Sequence, residues 1–125
     1  MKYSFNKKQK LKSKTLIDKL FAEGNSVRTY PLRLVFTPLH LNNGTSTKVG
    51  VSVSKRNFKR AVDRNRIKRL MREAYRLNKA EYLGNILTPH AFMILYIGKE
   101  MPTLQQLEKK MTVLFNKIAN NSETS

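Results

Sequence analysis

The stretch "KVGVSVSKRNFKRAVDRNRIKRLMREAYR", residues 48–76, changes its period halfway along. Its first residues alternate, with Val49, Val51 and Val53 on one side and Gly50, Ser52 and Ser54 on the other. A period of two belongs to a strand with one buried face. Gly50 and Ser52 keep the second face low, so that something can approach the backbone there. From about residue 59 to 79 the apolar residues return every three or four positions instead. Ile67, Leu70, Met71, Ala74 and Leu77 fall within about a third of a helix circumference, which predicts a helix lying on a sheet. A strand followed by an amphipathic helix is the start of a layered α-β architecture.

The flanks extend that pattern. "AFMILYIG", residues 91–98, is a continuous apolar run too short for a buried helix, and reads as a central strand. Pro102 precedes a capping-box pair, Thr103 and Gln106, and then Leu104, Leu107, Met111, Leu114 and Ile118 form one helical stripe. Residues 120–125 read as a frayed tail. Upstream, "PLRLVFTPL" alternates Leu32, Leu34 and Phe36 with Arg33, Val35 and Thr37. With the Asn43-Gly44 turn signal, this strand and the one over 48–54 are expected to form an antiparallel hairpin. Earlier still, Leu16, Ile17, Leu20 and Phe21 are spaced as a short amphipathic helix, capped by Ser13 or Thr15 and stopped by Gly24. Residues 1–12 read as a loose basic arm. A single domain over 1–119 is expected, a small α+β or α/β sandwich.

The charge is lopsided: 25 Lys and Arg face 8 Asp and Glu in 125 residues, net +17. Such a field makes a polyanion the expected partner. There is no Cys, which excludes disulfides and thiolate zinc and suits a reducing cytosol. No apolar run approaches ~18 residues, and the basic start has no apolar stretch behind it to make a signal peptide. Seven of the seventeen residues 60–76 are basic. Arg60, Arg64, Lys68, Arg72 and Arg76 follow one another at i, i+4, with Asn65 and Arg69 beside them and Arg66 at the far flank. Like charges at that spacing cost about 1 to 2 kcal/mol over four pairs, so the row is expected to meet phosphates, which Arg grips with a planar two-pronged donor set. Asp63 and Glu73 sit among arginines and read as internal ion pairs. His40 and His90 are isolated, the five glycines are scattered, and the acids are dispersed. Any reaction is therefore expected to take its chemistry from a partner.

"VGVSVS" followed by "KRNFKRAVDRNRIKRLMREAYR" resembles the bacterial ribonuclease P protein subunit. The core of the likeness is Arg64-Asn65-Arg66, then Ile67-Lys68-Arg69-Leu70 and Arg72-Glu73, and the expected order of elements extends it over most of the chain. The resemblance implies a two-layer, ribosomal-protein-like α-β sandwich in the order α-β-β-β-α-β-α, with a left-handed β-α-β crossover. Elementary geometry favours the right-handed form in ~98% of cases. It also implies an accessory subunit that assists a catalytic RNA, 1:1, in removing the 5′ leader of precursor tRNA. The Mg2+ would be held mainly by RNA and substrate, in the cytoplasm, with no membrane and no small-molecule substrate. Carried over, Lys55, Arg56, Arg60, Arg64, Asn65, Arg66, Lys68, Arg69 and Arg72 would face RNA. Ile17, Phe21 and Val35 would line a leader cleft between the first helix and the sheet.

Phe21 is equally readable as core. Ile17 and Val35 depart from the aromatics found in family members and stack less well on a base. Tyr30 is a further aromatic nearby in sequence with no assigned place. Three other readings stay open: a structural, ribosomal-type RNA-binding protein, a DNA-binding architectural protein, and a protein-only nuclease. The broad phosphate-suited stripe weighs against the second, and the want of an acid cluster against the third.

Overall fold

The computed structural model describes residues 14–38, 47–83 and 90–124. Seven elements follow in the order expected from the resemblance: α1 (Lys14–Glu23), β1 (Asn25–Thr29), β2 (Leu32–Pro38), β3 (Lys48–Val53), α2 (Ala61–Leu83), β4 (His90–Tyr96) and α3 (Leu104–Thr124). The basic arm and the Asn43-Gly44 turn lie outside the described residues. So does His40.

The four strands form one sheet in the order β1-β2-β4-β3. β2 is antiparallel to β1 and to β4, while β3 runs parallel to β4. This corrects the expected hairpin: β2 and β3 do not pair, because β4 lies between them. Its apolar run is buried on both faces, which is the character of a central strand, so it takes the central position and displaces β3 to the edge. The tight hairpin is instead β1–β2, closed at Tyr30-Pro31, whose peptide bond is cis. β1 carries a weak sequence signal because only Val27 among its five residues packs on the core.

Alternation gives the sheet two unlike faces. Leu34, Ile94 and Val51 share one level and one face, as do Phe36, Phe92 and Val49. Against this face pack Ile67, Met71, Ala74 and Tyr75 from α2 and Leu107, Met111, Leu114, Phe115 and Ile118 from α3. Phe115 is its hub, stacked on Tyr82 at 4.9 Å and edge-on to Phe92 at 5.2 Å. His90 is buried and lies flat on Phe92 at 5.5 Å, so it is a core ring.

Two details of α2 differ from the periodicity. Leu77 is half exposed, and Tyr75, unremarked in the stripe, is buried in its place. The helix continues to Leu83, but Asn78 has non-helical angles (φ −119°, ψ 16°) and its Nδ2 donates to the Ala74 carbonyl at 3.1 Å. The expected end near 79 therefore falls on a kink. Beyond it Tyr82 swings into the core and donates its hydroxyl to the Glu108 carbonyl. α3 begins as the capping box predicts: Gln106 N donates to Thr103 Oγ1 at 3.2 Å and Thr103 N to Gln106 Oε1 at 3.0 Å. It runs on to Thr124, past the point where the tail was expected to fray.

Candidate nucleic-acid interface

Each step of four residues carries a helix about 40° past a full turn. The row Arg64, Lys68, Arg72, Arg76 therefore winds about 120° around α2 and does not stay opposite the core. Burial follows the winding. Arg64 and Lys68 are half-buried at the flank, Arg76 is half-buried and paired with Glu73, and the exposed strip is Asn65, Arg66, Arg69 and Arg72. The basic face is thus centred one residue away from the row that the sequence suggests. Asp63 lies 3.8 Å from Arg60, whose side chain is 76% exposed, so both local acids are engaged with arginines as expected, and the exposed pair is worth little.

The loop before α2 holds four more cations outward: Lys55, Arg56, Lys59 and Arg60 are all exposed. Its shape is fixed from two sides. Arg64 Nη1 donates to the carbonyls of Phe58 and Lys59, each at 2.8 Å. Asn57 Nδ2 donates to the carbonyls of Ile97 and Gly98, at 3.3 and 3.2 Å. Phe58 is buried against Tyr96. Arg64, read from the sequence as an RNA contact, spends one end of its guanidinium on its own chain. Asn57 carried no sequence signal beyond its place in the run.

Among the described residues the other side of the sheet is covered by α1, which lies over β2 and β4. Leu20, Val35, Ala91 and Met93 form a small cluster there, with Ile17 and Leu95 against it. Gly24 ends α1 where the chain must pass close to β2: a Cβ would collide with the Leu20 carbonyl and meet Val35 Cγ1 at 3.1 Å. The three candidates for the leader cleft are separated by this packing. Val35 is 3% exposed and closed off beneath α1, Ile17 is half-buried, and Phe21 presents its ring to solvent at 50% exposure. The even reading of Phe21 thus resolves toward the surface.

β3 is at the edge, and Gly50 and Ser52 stand level with Met93 and Leu95 on the α1 side. Arg28 and Arg33 face each other across β1 and β2 on that same side. Like charges directly opposed destabilise a sheet, which suits an anionic neighbour. Arg33 was legible from alternation, whereas Arg28 was not, because β1 was unread. Tyr30 sits on the β1–β2 turn, two residues beyond Arg28.

Among the described residues no three His, Cys, Asp or Glu side chains gather as a metal group. No described helix is long and apolar enough to cross a membrane.

Residues 5–119 match the family model described as Ribonuclease P. A ribonuclease P protein component from Porphyromonas gingivalis is 36% identical over 98% of this chain and 92% of its own length. One from Chlorobaculum tepidum is 41% identical over 62% of this chain and 49% of its own. In three dimensions the chain is similar to the RNase P protein of Staphylococcus aureus, with TM-score 0.69, 20% identity, and 88% and 94% of the two chains covered. The RNase P protein of Thermotoga maritima gives TM-score 0.69 at 21% identity, over 86% and 96%.

Proposed function

Since the chain belongs to the ribonuclease P protein component family, we propose that it binds the ribonuclease P RNA and assists that RNA in removing the 5′ leader of precursor tRNA. The observation that supports this best is the exposed strip Asn65, Arg66, Arg69 and Arg72, continued by Lys55, Arg56, Lys59 and Arg60, in a segment whose two acids are both engaged with arginines. A strip of guanidinium groups neutralises phosphates and releases their counterions. Asn65 adds an amide that both donates and accepts, which suits a 2′-hydroxyl.

The leader is a single strand, and single strands take basic grooves with aromatic platforms. On the α1 side, Phe21 supplies the platform, Arg28 and Arg33 the charge, and the low edge at Gly50 and Ser52 the room. The magnesium of the reaction belongs with RNA and substrate, and no step is routed through this chain. One protein per RNA, in the cytoplasm, completes the reading.

The test is 5′ cleavage of a precursor tRNA at low magnesium by the ribonuclease P RNA of the same organism, with and without the protein. The protein restores cleavage that the RNA alone does not sustain, and the protein alone cleaves nothing. Binding without any gain in cleavage would favour a structural RNA-binding protein instead.

A further inference from the structure

At the end of the sheet where the β1–β2 turn meets the segment between β4 and α3, an open pocket of about 470 Å³ lies between Tyr30, Lys99, Met101 and Lys110. Neither the basic strip nor the α1 face uses it. Its floor is rigid. Ile97 N donates to the Pro31 carbonyl at 2.8 Å, and Tyr96 donates its hydroxyl to the Glu100 carbonyl. Gly98 is required there: a Cβ would stand 2.7 Å from Tyr96 Oη and 2.8 Å from Pro31 Cβ. Over this floor Tyr30 is 61% exposed and Met101 38% exposed. Lys99 is exposed and Lys110 half-buried, against one acid, Glu100. Gln106, also in the lining, spends its Oε1 on Thr103 N.

These groups match one chemistry. An aromatic face with a polarisable sulfur beside it takes a planar ring, two ammonium groups take a phosphate, and a pocket of this size takes one small planar ligand. The pocket is also continuous with the basic loop, because Asn57 bonds that loop to Ile97 and Gly98 in the pocket floor.

We propose that this pocket receives one unpaired nucleotide of the ribonuclease P RNA, its base against Tyr30 and Met101 and its phosphate at Lys99 and Lys110. The proposal rests on the RNA-binding reading above. The test measures binding of the full-length protein to the ribonuclease P RNA across a salt series. Tyr30→Ala weakens binding about 5-fold or more, the lower end of what one stacked base contributes, and Tyr30→Phe restores it. Lys99→Ala with Lys110→Ala lowers the slope of log affinity against log salt by about 0.7 to 0.9, the share of one phosphate.

Arg66→Ala with Arg69→Ala is the control. If it weakens binding while the Tyr30 and lysine variants bind as the parent does, the pocket proposal is overturned and the RNA reading stands. If neither set weakens binding, both fall. If Tyr30→Ala spares RNA binding and lowers affinity only for leader-bearing precursor tRNA, the proposal is overturned, because the nucleotide then belongs to the substrate. If Tyr30→Ala lowers the melting temperature, the paired lysine variant decides alone.

Discussion

The side of the sheet under α2 and α3 is a closed aromatic core, whereas on the side under α1 the described residues form a thin cover over two strands. On the first side Tyr75, Tyr82, Phe92 and Phe115 interlock, all nearly inaccessible to water. On the second, Leu20, Val35, Ala91 and Met93 meet in a cluster too small to shelter Phe21. Burial stabilises roughly in proportion to the apolar area removed from water, so the fold is held mainly from one side. The α1 side contributes the smaller share among the described residues.

Four changes test that contrast, from the largest effect to the smallest. Phe92→Ala removes the ring between Phe115 and His90 and is expected to cost about 3 to 5 kcal/mol, read as a fall in the urea midpoint. A loss under about 1 kcal/mol would break the claim that this side holds the fold. Alkali acts on the same side. Burial pushes the Tyr82 hydroxyl from 10.0 up to about 12, so its contribution is intact below about pH 10 and is lost as pH rises from there to about 12. The loss is on the order of 2 kcal/mol, and Tyr82→Phe is expected to shrink it in denaturation curves taken at pH 9 and 11.

Arg64→Ala strands the carbonyls of Phe58 and Lys59 and is expected to cost about 1 to 2 kcal/mol. It should also weaken RNA binding more than Arg64→Lys does, since a lysine can still reach one carbonyl. Equal losses in both variants, with stability unchanged, would make Arg64 a phosphate contact like its neighbours. Phe21→Ala is expected to change stability by less than about 0.5 kcal/mol while raising the concentration of leader-bearing precursor needed for cleavage. A large stability loss there would return Phe21 to the core.

Much of this is legible in the amino-acid sequence. The elements around the 48–76 stretch, the capping box at Thr103 and the ion pairs of Asp63 and Glu73 all follow from local spacing. The partner of β3 does not, because strand pairing is set by which strand is apolar on both faces, and that is a comparison between distant segments. The basic face was displaced for a different reason. A row at i, i+4 reads as straight on paper and winds on the helix, so Arg64 ends beside the core, while Arg76, far around the helix, is half-buried through its pairing with Glu73 and the exposed strip runs through Asn65, Arg66, Arg69 and Arg72. Arg28 and Asn57 escaped because their meaning comes from partners across the sheet or about forty positions later in the chain.

The central strand is also the last strand to be made. β4 pairs with β2 on one side and β3 on the other, so until residues 90–96 leave the ribosome the nascent chain can form little more sheet than the β1–β2 hairpin. The strongly cationic α2 is already out by then, without the surface it packs on. Distant pairing of this kind is slow to form, and during synthesis the arginines of α2 are exposed to the RNA-rich surroundings of the ribosome before the fold that orders them exists.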